Sequence, residues 1–358
     1  KPSTRPSYTS AMPAKRSTTT TLPWTLGRIE RSGIAPPWVA LGVTAAYLAL
    51  SLVWHNVVGP YRGIYVHGVP FWRTGFALEF VFAVLFAAPL SLGTWVLRGA
   101  RRDFDALRPA LRLSEKEATA MREGLLLFRR RDLIIAGLTG MGAGFVLNLA
   151  VTFLLHSEVA RDLIWRVPRD LLLSWLVARL VFIALELGRR FSRLGEEHAQ
   201  IDLLDPRPLA PFARFALRSA GSILVSASLC APLFWELDAL PVTIAIMLWI
   251  FLLAVGALVL PVRGVHRRIH SVKQAELWRV RGTISAVREN ALLAGHPQAL
   301  ASAAALHGLS AYLALITGLS EWPFETSTLV QFGAYLALPV GSWLGGAIMQ
   351  RLVALWLH

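Results

Sequence analysis

Six times between residues 37 and 262 the chain runs for about twenty residues on almost nothing but apolar side chains, near 37–58, 76–97, 133–155, 171–187, 217–236 and 241–262. An α-helix rises about 1.5 Å per residue, so each stretch matches a hydrocarbon core roughly 30 Å thick. Backbone amides in that medium must be satisfied within the protein, which makes a helix the spanning form for stretches of this length. The expected fold class is therefore all-α: a polytopic helical membrane protein with six to eight transmembrane helices, counting an uncharged stretch at 299–319 and a broken one at 328–349. Composition leads the same way. With 55% hydrophobic and 16% charged residues among 358, and a mean hydropathy of +0.52, the chain is more apolar than a soluble domain of that length can hide.

The net charge of +14 would suggest nucleic acid if the basic residues clustered on one folded surface, but they fall between the spans. Twenty-eight Lys and Arg lie in the N-terminal tail and in segments 98–132, 188–216 and 263–326, against five in the alternate connectors. The positive-inside rule then places the N-terminus and all the basic segments in the cytoplasm of a cell whose inner membrane holds the chain. The expected partners are the lipid bilayer, anionic headgroups at the basic loops and a second copy of the chain, not nucleic acid. Trp38, Trp54, Trp72, Trp95 and Trp235 fall near span ends, where an amphipathic ring prefers the headgroup level.

Outside the spans, residues 1–24 are rich in Ser, Thr, Pro and Lys and read as a disordered tail preceding a transmembrane domain over 25–262. No signal peptide with a cleavage site is visible, and the missing initiator Met suggests a trimmed chain. Ser114 followed three residues later by Glu117 is a capping-box pattern, so the 98–132 segment is expected to form a helical elbow. Pro206, Pro208 and Pro211 mark a turn before the fifth span. From Leu277 the apolar residues Val280, Ile284, Val287 and Ala291 alternate spacings of three and four, and Leu306, Leu309, Leu313 and Ile316 repeat the pattern after "AGHPQ". That predicts a cytoplasmic antiparallel helical hairpin over 263–320; the rival reading makes 299–319 a further span. Residues 321–358 are expected to form a C-terminal membrane segment, spanning or re-entrant, with a break at "LPVGSWLGG".

Recognisable chemistry is sparse. The lone Cys230 excludes an intrachain disulfide and a Cys-based metal cluster. His266 and His270 in "HRRIH" lack a third ligand, so no metal site is expected, and nothing implies a cofactor. The glycines of "GLTGMGAG", Gly137, Gly140 and Gly144 in particular, and the hydroxyl stripe Ser222 and Ser226, suit close helix packing. Polar residues inside spans remain: Glu79, Asn148, Arg179 and Glu186. Counting from the outer span ends at 1.5 Å per residue puts Arg179 about 13 Å deep, Asn148 about 10 Å and Glu79 about 5 Å. These three form one expected layer in which Glu79 and Asn148 hold Arg179, either as a structural pair or beside a ligand path. Glu186 belongs at the inner edge.

In "PVRGVHRRIHSVKQAELWRV", "EWPFETSTLVQFGAYLALPVGSWLGGAIMQRL", "DFDALRPALRLSE" and "IDLLDPRPLAPFARFALRS" the chain resembles a loose group of bacterial multi-span membrane proteins of no assigned function. The resemblance extends over 98–358 and implies a span, a cytoplasmic hairpin, an "EWPF" entry and a final apolar segment. It implies no activity and no site residue.

Two readings of function follow. One is an oligomeric channel or transport component with Arg179 on a hydrated path. The other is a membrane signalling or scaffolding protein whose hairpin docks a partner. A membrane enzyme ranks third, because no acid, base, nucleophile and metal converge.

Overall fold

The computed structural model describes residues 20–21, 23, 27, 32–54, 65–66, 69–154, 163–230, 240–293, 296–322, 324 and 326–357. Most of the expected tail over 1–24 lies outside these residues, as do the far ends of the spans at 37–58 and 217–236. Nine helices are described: α1 (Pro36–Val53), α2 (Phe71–Leu107), α3 (Glu115–Gly124), α4 (Arg130–Leu154), α5 (Leu163–His198), α6 (Ala210–Cys230), α7 (Leu240–Leu293), α8 (His296–Gly318) and α9 (Thr326–Leu357). Two minimal antiparallel pairs accompany them, β1 (Thr20–Thr21) with β4 (Phe128–Arg129) and β2 (Tyr65–Val66) with β3 (Val69–Pro70).

Among the described residues five helical segments are long and apolar enough to cross a membrane: Pro36–Val53, Glu79–Ala110, Arg130–Leu149, Trp165–His198 and Ile244–Asn290. The chain is thus built as a helical membrane protein. Helix α6 is not among the five, and its surroundings explain why. Thirteen of its residues are buried, and it packs against α2, α7 and α9. A helix enclosed by other helices has no lipid to face, so small residues such as Ala216, Ser219, Ala220 and Ser222 replace large apolar ones. The opposite holds for α1 and α4, whose apolar windows are only 11% buried.

The principal core lies where three connectors meet. Leu107, Leu126, Phe128, Leu187, Phe191, Phe212 and Val265 pack together there, and Phe191 stacks on Phe215 at 4.2 Å between centroids. Leu111 bridges Ala199, with Arg112 N–H donating to the His198 carbonyl and Gln200 N–H to that of Ala110. Helix α3 starts on the Ser114 cap: Glu117 N–H donates to Ser114 Oγ, and the Ser114 N–H donates to Glu117 Oε2. The proline-rich stretch makes a short 3₁₀ turn, Arg207–Leu209, before α6.

Two boundaries differ from the sequence expectation. Helix α7 runs unbroken for 54 residues through Pro261, so the sixth span and the charged stripe after it are one element. Helix α8 returns alongside its second half, where Leu277 and Val280 meet Ile316 with Leu309 and Leu313 around them. Helix α9 is also continuous across Pro339, without the expected break. A proline in a helix removes one hydrogen bond, which a bundle of neighbours tolerates.

Candidate functional site

Two helices, α1 and α5, converge on Glu79 of α2, each through residues one turn apart. Residues at i and i+4 lie on the same helix face, so Tyr47 and Ser51 of α1 point the same way, as do Trp165 and Arg169 of α5. Tyr47 and Ser51 donate their hydroxyls to Glu79 Oε2 at 2.7 and 2.9 Å. Trp165 Nε1 and Arg169 Nη1 donate to Oε1, each at 3.2 Å. The Glu79 and Arg169 side chains are both 8% exposed, so this is an ion pair withdrawn from solvent and satisfied on both carboxylate oxygens. Aromatic rings close it in. Tyr47 stacks on Phe86, Trp54 on Trp165, and the Arg169 guanidinium lies 3.5 Å from the Phe82 centroid.

The network continues to a fourth helix. Arg169 Nε donates to Asp170 Oδ1 at 3.0 Å, Arg166 stands 3.7 Å from Oδ2, and Asn148 of α4 donates to Oδ2 at 2.7 Å. Asn148 and Glu79 therefore belong to one connected polar layer, but the arginine that joins them is Arg169.

Arg179 is not brought to Glu79, which corrects the expected pairing. Helix α5 begins at Leu163, eight residues before the apolar stretch does. At 1.5 Å per residue Arg169 is about 9 Å along the helix and Arg179 about 24 Å, so the two arginines lie at different levels. Arg179 is only 9% exposed, its guanidinium lies 4.4 Å from the Trp175 ring centroid, and Nε makes no hydrogen bond. Among the described residues it has no carboxylate partner. The signal that sequence reasoning passed over is "WRVPRD", counted there as outer connector: Pro168 sits inside the helix, within its first two turns, and brings Arg169 and Asp170 with it.

Glu186 pairs along its own helix with Arg189 at 3.7 Å and Arg190 at 3.2 Å. Arg190 also donates to the carbonyls of Gly124 and Leu125, tying α5 to the elbow after α3. The glycines of α4 lie against α5. A Cβ on Gly137 would run into Trp175, one on Gly140 into Ala178 and the Ser174 carbonyl, and one on Gly144 into Ser174, whereas Gly142 has open space. On α6, Ser222 and Ser226 hydroxyls donate to the carbonyls of Ser219 and Ser222.

At the connector end, His266 and His270 face the segment before α9. His266 Nδ1 donates to the Glu321 carbonyl at 3.0 Å, and its ring stacks on Trp322 at 4.1 Å. His270 Nδ1 lies 2.9 Å from Glu321 Oε2, and Lys273 Nζ 3.4 Å from Oε1. Lys273 also donates to the carbonyls of Thr317 and Leu319, satisfying the end of α8. The hydrogen bond from His270, with Lys273 helping, holds the Glu321 carboxyl below its ordinary value. Among the described residues no group of three His, Cys, Asp or Glu could hold a metal ion.

No protein-family model matches the chain, and neither the curated proteins nor the solved structures contain a match.

Proposed function

We propose that the chain is an oligomeric channel or transport component of the inner membrane, and that Arg179 is the residue that draws an anion into its bundle. One observation carries the reading: an arginine only 9% exposed, deep in an apolar helix, whose buried Nε has no hydrogen-bond partner. An intramembrane charge costs at least about 2.5 kcal/mol even on insertion scales, and a fold that retains one with no carboxylate against it among the described residues has a use for it. Glu79 already has its counter-ion in Arg169, so Arg179 is available to a ligand. The proposed orientation has the N-terminus in the cytoplasm. It is supported by the Lys and Arg distribution and by the meeting of the basic connectors at one end of the bundle, where Leu111 bridges Ala199 and Arg190 reaches Leu125. The antiparallel packing of α8 on α7 then forms a cytoplasmic projection.

The test is anion flux in proteoliposomes alongside thermal melting. Arg179→Leu should leave the melting temperature nearly unchanged and abolish flux. Unchanged flux, or a large loss of stability, overturns the reading. A second reading, scaffolding by the projection, is favoured by Trp278 and Leu292, 72% and 77% exposed on α7. It predicts that Trp278→Ala with Leu292→Ala loses partner binding and that no variant at Arg179 has a phenotype.

A further inference from the structure

A recess of about 180 Å³ opens between the 201–210 connector, α7 and the 319–324 segment. Its walls are mainly hydrocarbon, supplied by Leu203, Leu209, Ile269, Leu319, Trp322 and Phe324. The charges around it cancel. Asp202 and Arg207 are one of each sign, and Lys273 is engaged by Glu321 and by the carbonyls of Thr317 and Leu319.

The side chains that would otherwise collapse into the space are tied elsewhere. Trp322 is stacked between His266 and Phe324, with interplanar angles of 12° and 11°. Ser320 holds the turn locally, its Oγ accepting from Trp322 N–H and donating to the Trp322 carbonyl. Leu209 and Ile269 are buried in the core behind. The recess is therefore preorganised rather than a packing gap awaiting relaxation. The recess is partly open, and water against its hydrocarbon walls is released favourably when an apolar group takes its place.

We propose that this recess binds a small uncharged apolar group, an alkyl or aryl moiety about the size of a short-chain alcohol. A charged head is disfavoured because the charges around the recess, Asp202 and Arg207 with Lys273 held by Glu321, sum to zero. Ser320 and Arg207 supply polar contacts for a hydroxyl or carbonyl end. The group comes either from a membrane lipid reaching in or from a free small molecule. This site is independent of Arg179 and stands whether or not that residue conducts an anion.

The experiment is photolabelling of the full chain with a photoactivatable octanol, mapped by mass spectrometry, in detergent and again in liposomes. The expected result is saturable labelling on the peptides that carry Leu203, Ile269 and Trp322, displaced by unlabelled 1-octanol and not by octanoate. Leu203→Trp fills the recess and should remove at least nine-tenths of that labelling, whereas Leu204→Trp, at a neighbour 62% exposed to solvent, should leave it intact. Labelling that never saturates, or that survives Leu203→Trp in a protein of normal melting temperature, overturns the proposal. Equal displacement by octanoate overturns the uncharged class. Should Leu203→Trp fail to fold, competition on the unaltered chain decides alone. Labelling suppressed in liposomes identifies a lipid chain as the occupant, and equal labelling in both media identifies a free molecule.

Discussion

The Glu79 network makes a quantitative claim about which arginine matters. Arg169→Leu takes from the buried Glu79 the arginine it pairs with, and removes one of the two arginines from Asp170. Breaking a buried pair from one side costs about 3–5 kcal/mol. Glu79→Leu keeps Arg169 on Asp170, but takes this acceptor from Tyr47, Ser51 and Trp165, at about 1–3 kcal/mol for each buried donor that finds no other. Each single variant therefore loses about 3 kcal/mol or more. The double variant should lose less than the sum, with a coupling of about 1–3 kcal/mol, because the ion pair is counted in both singles. The same cycle run on Glu79 and Arg179 should be additive within about 0.5 kcal/mol. The measurement is equilibrium unfolding in mixed micelles titrated with dodecyl sulfate, followed by circular dichroism. Additivity for Glu79 with Arg169, or equal coupling for Glu79 with Arg179, would refute the assignment.

Gly140→Leu should destabilise by more than about 3 kcal/mol, beyond ordinary overpacking, because the new side chain meets backbone of α5; Gly142→Leu, facing open space, should change little in the same unfolding assay. Ser114→Ala removes the cap of α3 and should cost about 1 kcal/mol, read as faster hydrogen exchange over residues 115–124. Glu321 titrates below its ordinary 4.5 because of His270, so its contribution is complete above that value and is lost as pH falls through the lower folded pKa. Protection of residues 317–322 against exchange, corrected for intrinsic rate, should drop only under those acidic conditions and earlier in His270→Ala; a flat profile would show that the clasp does not depend on the carboxylate.

Much of the membrane architecture was legible because hydropathy is a property of local sequence, and a run of twenty apolar residues has few places to go. The elbow was legible for the same reason, since Ser114 and Glu117 satisfy each other within one turn. Pairing was not. Glu79 chooses among arginines by helix register and by where α5 starts, and the polar residues from Trp165 to Asp170 hid that start by looking like a loop. Helix α6 shows the converse limit: its small and hydroxyl residues carry little hydropathy, yet it is enclosed by three helices. The clasp of His266 and His270 on Glu321 joins residues more than fifty positions apart, a distance at which spacing patterns carry no information.

The unbroken course of α7 has a mechanical consequence. From Arg263 to Leu293 it extends about 45 Å beyond the proline, taking 1.5 Å per residue, and α8 splinted along it stiffens that arm. Pro261 sits against Gly188 of α5, and Val265, Ile269 and Lys273 anchor the turns that follow, so the projecting part of the arm starts beyond Lys273. By simple trigonometry on the roughly 30 Å from Lys273 to Leu293, a tilt of about 5° displaces the far tip by about 3 Å.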